Sequence, residues 1–229
     1  MIGAYSNRND TYNLVIKARG EIDMKQIVCF GDSNTYGYIP ENGERYPWGV
    51  RWTSLLQNKL YGQDFRVLEE GLCGRTTIFE DKIRPNRKGI DSLVSIIDNY
   101  EKIDYVVLML GTNDCKSCYH NSAKTIAKGI ENCLDIILDR IPAENVLLVS
   151  PIWLGEDVWK EQYDPEFDRE SVEVSKQLKK EYCRVAKERN IKFLAASDYV
   201  SASPADQEHM SAKSHSIFAD VLFEALKSA

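Results

Sequence analysis

Ser33 stands in a short turn, Gly31-Asp32-Ser33, directly after an apolar run at residues 27–30 that predicts a buried β-strand. In an open α/β sheet, ligands bind in the crevice beyond the carboxyl ends of the strands. A serine hydroxyl at that place is a candidate nucleophile, provided that a base takes its proton and that donors stabilise the oxyanion. Without those partners, small polar residues after a strand indicate only a turn.

His209 is the histidine best suited to act as that base. The chain has three histidines, and only His209 has a carboxylate three residues before it, in Asp206-x-x-His209. That spacing lets Asp206 hold the imidazole in the tautomer that a general base requires. His120 has no acid at such a spacing. His215 falls in or near the last predicted helix, where we expect a packing or surface role.

Three hydrogen-bond donors follow neighbouring predicted strands and could face one substrate oxygen. They are the backbone N–H of Ser33, the backbone N–H of Gly74 and the side-chain amide of Asn113. Such oxyanion donors are each worth about 3–4 kcal/mol in measured cases. Taken singly, Gly74 indicates a tight turn and Asn113 a helix cap. Their convergence with His209 favours an acyl-transfer site.

The elements that must position these residues alternate between short apolar runs and longer helical segments. Strands are predicted at residues 26–30, 65–69, 105–110, 145–150 and 191–195, and helices at 52–61, 91–100, 122–140, 170–189 and 215–227. This alternation predicts βαβ units and a parallel sheet with helices on both faces. We expect the flavodoxin-like strand order 2-1-3-4-5, which brings all the polar motifs to one edge of the sheet.

Length and composition predict a single globular domain. The chain has 229 residues, of which 43% are hydrophobic and 28% charged. We expect residues 24–229 to form the domain and residues 1–23 to be a peripheral extension before the second methionine, Met24. The aromatic and acidic segment at 151–168 predicts a long loop or an irregular helix over the end of the sheet.

Charge and cysteine usage restrict the partners. A net charge of −6 with scattered lysine and arginine disfavours nucleic acid and anionic membranes. No apolar run reaches the eighteen or so residues that span a bilayer. Six cysteines without an export signal predict reduced thiols and a cytoplasmic location. The Cys115-x-x-Cys118 pair lacks the second ligand pair of a zinc site, so we expect no metal.

Taken together, the motifs resemble those of the SGNH, or GDSL, hydrolase family. The blocks of that family correspond to Gly31-Asp32-Ser33, Gly74, Gly111-Thr112-Asn113-Asp114 and Asp206-x-x-His209. The chain is most similar to the bacterial arylesterase/acyltransferase branch, for example in Val50-Arg51-Trp52-Thr53. The resemblance covers Met24 to the C-terminus.

The resemblance implies a three-layer αβα sandwich of the flavodoxin type around a five-stranded parallel sheet. It implies Ser33 as nucleophile, His209 as base and Asp206 as the residue that orients the base. The oxyanion hole would be formed by Ser33, Gly74 and Asn113, and neither a metal nor an organic cofactor is expected.

On the substrate side, the resemblance implies a small-molecule ester with a short acyl chain, acyl transfer to alcohols as a further activity, and a homo-oligomer. We expect Asp32, Tyr36, Lys116 and Trp153 to contribute to substrate binding. Tyr36 stands where that branch usually has tryptophan.

Two alternatives stay open at this point. A lysophospholipase, a thioesterase or a carbohydrate deacetylase would use the same residues on a different ester. A flavodoxin-like binding module for a phosphorylated ligand would instead need a glycine-rich cradle or basic residues in the first loop. The acidic residues Asp32, Glu41 and Glu44 make that module less favoured.

Overall fold

The structure is a computed structural model that describes residues 24–227. The predicted extension at residues 1–23 lies outside the described residues. The strands of the described part are β1 (Lys25–Gly31), β2 (Phe65–Gly71), β3 (Tyr105–Met109), β4 (Val146–Ser150) and β5 (Lys192–Ala195). Its α-helices are α1 (Ser33–Tyr36), α2 (Trp52–Lys59), α3 (Gly89–Asn99), α4 (Ala123–Leu138), α5 (Arg169–Glu188) and α6 (Ala212–Lys227).

The strands form one parallel sheet in the order β2-β1-β3-β4-β5, which confirms the predicted order. The register makes the central strands end level. Gly31 of β1 pairs with Gly71 of β2 on one side and with Met109 of β3 on the other. The loops that follow these three strands therefore open at the same edge of the sheet.

Both faces of the sheet are buried, and β1 shows why its sequence is a continuous apolar run. Ile27 and Cys29 point into one core, which α2 and α6 cover. Val28 and Phe30 point into the other core, beneath α3, α4 and α5. Strands that are covered on both faces lose the alternation of polar and apolar residues.

The predicted helices are confirmed, with ends that shift by no more than three residues. Ser122 is the N-cap of α4, where its side chain accepts a hydrogen bond from the N–H of Thr125. Asp168 and Ser171 form a capping box at the start of α5. No helix among the described residues is both long enough and apolar enough to cross a bilayer.

The segment at 151–168 was predicted to be either a long loop or an irregular helix, and the structure shows a loop. The loop is attached to the carboxyl edge of the sheet by backbone hydrogen bonds. The N–H of Gly155 donates to the carbonyl of Gln207 at 2.7 Å, and the N–H of Ser117 donates to the carbonyl of Glu166 at 2.9 Å. The loop thus covers the edge at which the polar motifs meet.

Gly71 allows α1 to rest directly on the end of β2. A Cβ at Gly71 would lie 2.2 Å from the amide nitrogen of Tyr36 and 2.6 Å from the carbonyl carbon of Thr35. Both neighbours are backbone atoms, so no side-chain rotation relieves the clash. The position of Ser33, in the first turn of α1, depends on this close contact.

We expect Gly71→Ala to lower the free energy of unfolding by about 3 kcal/mol, because the extra methyl group displaces the backbone of α1. Gly62→Ala is the control: Gly62 has φ +79°, and a Cβ at this position would have no neighbour within 4 Å. Only backbone strain of about 1 kcal/mol is therefore expected there. Urea unfolding of both variants makes the comparison. Equal losses would show that the contact at Gly71 is not tight.

Candidate active site

The turn after β1 presents Ser33 at the carboxyl edge of the sheet. Asp32 caps α1, since its carboxylate accepts a hydrogen bond from the N–H of Asn34 at 3.0 Å. The helix ends after one turn at Gly37, whose φ of +86° is in the left-handed region. Ser33 is therefore the first residue of a short helix, and its side chain is almost fully buried.

A continuous chain of hydrogen bonds joins Ser33, His209 and Asp206. The Oγ of Ser33 lies 2.8 Å from Nε2 of His209, and Nδ1 of the same ring lies 2.6 Å from Oδ2 of Asp206. The other oxygen of Asp206 accepts the backbone N–H groups of Glu208 and His209, each at 3.0 Å. These distances have the geometry of a nucleophile, a base and an orienting acid.

The loop that carries His209 is closed by its own backbone. The N–H of Ser203 donates to the carbonyl of His209 at 2.7 Å, and the N–H of Gln207 donates to the carbonyl of Ser203 at 2.8 Å. Gln207 adopts φ +66° to make this tight turn. An antiparallel bridge between Ala202 and Met210 fixes both ends of the loop.

Asn34 connects this loop to the turn of Ser33. Its side-chain oxygen accepts the N–H of Met210 at 2.9 Å, and its carbonyl accepts Nε1–H of Trp52 at the same distance. Sequence reasoning missed this role of Asn34. In the sequence, Asn34 is only a polar residue directly after Ser33, and nothing there indicates that its side chain is buried, as the structure shows it to be.

The predicted oxyanion donors meet at one cleft. Ser33, Gly74 and Asn113 all line it, together with His209. Gly74 has φ +80°, which favours glycine at this position. The side-chain amide of Asn113 is oriented by a hydrogen bond of 3.1 Å from Nδ2 to the carbonyl of Arg75.

Buried charged groups hold the two loops that carry Gly74 and Asn113. The guanidinium of Arg75 donates to the carbonyl of Gly31 at 2.8 Å and stacks over the ring of Phe30, 4.1 Å from its centroid. The carboxyl group of Asp114 accepts the N–H of Thr77 at 2.9 Å and also bonds its hydroxyl. Burial raises the pKa of Asp114 to about 7.

The cleft has a volume of about 200 Å³ and a largely charged lining. Seven further residues line the cleft: Tyr38, Cys73, Arg84, Arg87, Lys116, Asp164 and Glu208. Of these, only Lys116 was predicted as a site residue. Most of them lie in loops without a recognisable pattern. Apart from Lys116, only Tyr38, Cys73 and Glu208 are close in sequence to a predicted site residue.

Of the four residues expected to bind substrate, only Lys116 lines the cleft. Asp32 turns inward to cap α1. Tyr36 lies beneath the guanidinium of Arg45, which is 4.6 Å from its ring centroid. Trp153 is 43% exposed on the covering loop. Asp32, Tyr36 and Trp153 do not line this cleft, and their contribution to substrate binding stays a prediction.

The electrostatics of the site place a basic histidine beside an ionised aspartate. Burial lowers the pKa of His209, but the carboxyl groups of Glu208 and Asp206 raise it more, so that it lies above the ordinary value. Burial raises the pKa of Asp206, and the hydrogen bond from His209 outweighs this and lowers it. His209 can therefore accept a proton near neutral pH while Asp206 stabilises the imidazolium.

Within residues 24–227, no group of three His, Cys, Asp or Glu side chains is arranged as metal ligands would be. The residues of the Cys115-x-x-Cys118 pair are free thiols, with Cys115 buried and Cys118 exposed. His120 takes φ +50° at the end of a short 3-10 helix, and His215 is fully buried beside Trp52, whose N–H it accepts at 3.2 Å.

The chain is similar to known esterases and acylhydrolases. The model of the GDSL-like lipase/acylhydrolase family matches residues 29–216. The aryl esterase of M. smegmatis has a TM-score of 0.81 and 32% identity, over 89% of this chain and 99% of its own. A carbohydrate acetylesterase from Sinorhizobium meliloti has a TM-score of 0.81 and 31% identity over the same shares. No curated protein sequence matches the chain.

A more distant structure shares the fold alone. The lipase/acylhydrolase from Enterococcus faecalis has a TM-score of 0.65 and 21% identity, over 90% of this chain and 96% of its own. The α/β fold with its five-stranded parallel sheet is thus that of SGNH hydrolases.

We expect a fluorophosphonate probe to label Ser33, because the bond to His209 activates its hydroxyl. The labelling rate should fall as the pH falls, since protonated His209 cannot accept the proton. The midpoint should lie above pH 6.5, in line with the raised pKa of His209. Intact-mass spectrometry with peptide mapping measures both. A rate that does not change between pH 5 and 8 would exclude His209 as the base.

Proposed function

The chain belongs to the GDSL-like lipase/acylhydrolase family and is a carboxylic ester hydrolase, and from that premise we propose that it hydrolyses short-chain acyl esters through an acyl-Ser33 intermediate. The observation that carries the proposal is the chain of hydrogen bonds from Asp206 through His209 to Ser33, at 2.6 and 2.8 Å. It ends in a cleft that Gly74 and Asn113 also line.

In the first half of the proposed reaction, Nε2 of His209 takes the hydroxyl proton as Oγ of Ser33 attacks the ester carbonyl carbon. The carbonyl oxygen becomes an oxyanion, which accepts hydrogen bonds from the N–H groups of Ser33 and Gly74 and from Nδ2 of Asn113. Donors placed in advance at the developing charge supply much of the rate enhancement in such sites. When the oxyanion collapses, the carbon–oxygen bond to the alcohol breaks, and the imidazolium protonates the departing oxygen.

In the second half, water takes the place of the alcohol beside His209. Nε2 accepts one water proton while the water oxygen attacks the acyl carbon of acyl-Ser33. Collapse of the second oxyanion releases the carboxylic acid, and the imidazolium returns a proton to Oγ of Ser33. An alcohol in the place of water would give acyl transfer through the same steps.

The size of the cleft favours a short acyl group. A volume of about 200 Å³ is below the roughly 300–1,000 Å³ of typical small-molecule pockets. Charged side chains, among them Arg84 and Arg87, occupy much of its lining. A long acyl chain would have to bury methylene groups against these charges, so the lysophospholipase alternative is less favoured.

A carbohydrate deacetylase is the second candidate, because the polar lining of the cleft suits a polar alcohol. The similar structure from Sinorhizobium meliloti is described as a carbohydrate acetylesterase. The hydrogen bond between Ser33 and His209 argues against the alternative of a binding module without catalysis. The six free cysteines support a reducing compartment, and hence the cytoplasm, as the location.

We expect Ser33→Ala to lower kcat for p-nitrophenyl acetate by about 10⁴-fold or more, because the nucleophile is lost. The substitution removes one oxygen from a preformed turn, so the far-UV circular dichroism should match that of the wild type. Full activity in the folded variant would exclude Ser33 as the nucleophile.

We expect kcat/KM to fall about tenfold or more from p-nitrophenyl acetate to p-nitrophenyl octanoate, because the small charged cleft excludes the longer chain. The two esters share a leaving group, so the ratio reports only the acyl side. A preference for the octanoate would instead support the lysophospholipase alternative.

A further inference from the structure

Glu208 is a second carboxyl group at the histidine, and it lies outside the chain of Ser33, His209 and Asp206. Glu208 as a whole is only 7% exposed, and it lines the cleft. Oε1 of Glu208 lies 3.8 Å from Nε2 of His209, the same nitrogen that bonds Oγ of Ser33. Its backbone is fixed by the hydrogen bond from its N–H to Asp206.

The carboxyl group of Glu208 has no hydrogen-bond partner among the described residues. Glu208 is largely buried as a residue, but its carboxyl oxygens are accessible from the cleft that it lines. Burial raises the pKa of Glu208 to about 7, and the charge of Asp164 adds to the effect, while His209 and Lys116 oppose it. The group is thus open to the cleft and free to accept a hydrogen bond from a ligand bound there.

The position of Glu208 places it beside the alcohol part of the ester. The leaving oxygen must come within hydrogen-bond distance of Nε2 of His209 to receive its proton. A carboxyl group 3.8 Å from that nitrogen is then within reach of the alcohol part of the ester. In the proposed reaction the carbonyl oxygen of the acyl group is instead directed at Gly74 and Asn113.

The charges of the cleft bear on what that alcohol carries. Arg84, Arg87 and Lys116 line the cleft together with Asp164 and Glu208, and Arg84 and Lys116 are paired with Glu166. With charges of both signs and two of the cations already paired, the lining selects strongly for neither a cationic nor an anionic alcohol. A neutral hydroxyl can donate a hydrogen bond to the carboxylate of Glu208, and the net charge of the cleft neither attracts nor repels it. When Glu208 is protonated, the same hydroxyl can act as the acceptor.

We propose that Glu208 is a specificity-determining residue that binds a free hydroxyl group next to the ester on the leaving alcohol, so that the enzyme prefers esters of polyols to esters of simple alcohols. The inference rests on the proposed esterase function. It assigns to Glu208 a contact with the substrate and leaves the proton transfer to His209.

The test compares 1-acetylglycerol with n-propyl acetate, which share the acyl group and a three-carbon alcohol. In the wild type, kcat/KM should favour 1-acetylglycerol. Glu208→Leu, which keeps the approximate volume and removes the oxygens, should reduce that preference by about tenfold, the effect of losing one hydrogen bond. Glu208→Gln can still bond a hydroxyl and should keep most of the preference.

Three results would overturn the inference: a wild type without the preference, a Glu208→Leu variant that loses activity equally on both esters, and a Glu208→Gln variant with the same loss of preference as Glu208→Leu. An equal loss would limit Glu208 to supporting the structure or the basicity of His209. Failure of the proposed function has a different signature, in which the wild type hydrolyses neither ester and Ser33 is not labelled by the fluorophosphonate.

Discussion

The site depends on the register of the sheet, which makes β1, β2 and β3 end side by side at the same edge. Because Gly31 pairs with both Gly71 and Met109, the three loops that follow start from the same line. A slip of one residue in either pairing would turn each side chain of the strand to the opposite face of the sheet. Since both faces are packed with different helices, the two cores fix the register and thereby the distances in the site.

This edge is also where the fold buries most of its charge. Arg75 bonds the carbonyl at the end of β1, and Asp114 bonds the backbone and hydroxyl of Thr77 in the neighbouring loop. Burial lowers the pKa of Arg75 to about 10, which reflects the cost of removing the guanidinium from water. An apolar side chain at Arg75 or Asp114 would make no hydrogen bonds and so would lack these directional contacts with the loops. The polar network therefore gives directional contacts where a catalytic geometry is needed.

The sequence contains enough information to predict the sheet, because strands buried on both faces are distinct from the amphipathic helices between them. His209 could be found because Asp206 precedes it by one turn, and a turn keeps close residues close. The direction of side chains outside the long helices and strands could not be predicted. Tyr36 packs beneath the guanidinium of Arg45, whereas Glu208, which no pattern singled out, lines the cleft.

Two carboxyl groups act on opposite sides of one imidazole, and their effects differ. Asp206 bonds Nδ1 at 2.6 Å and stabilises the imidazolium without blocking the nitrogen that reacts. Glu208 stands 3.8 Å from Nε2, too far for a hydrogen bond but close enough for its charge to raise the pKa of His209. A higher pKa makes a stronger base and reduces the fraction that is neutral at a given pH. Burial of the ring opposes that rise, so the site keeps a strong base that is still able to accept a proton.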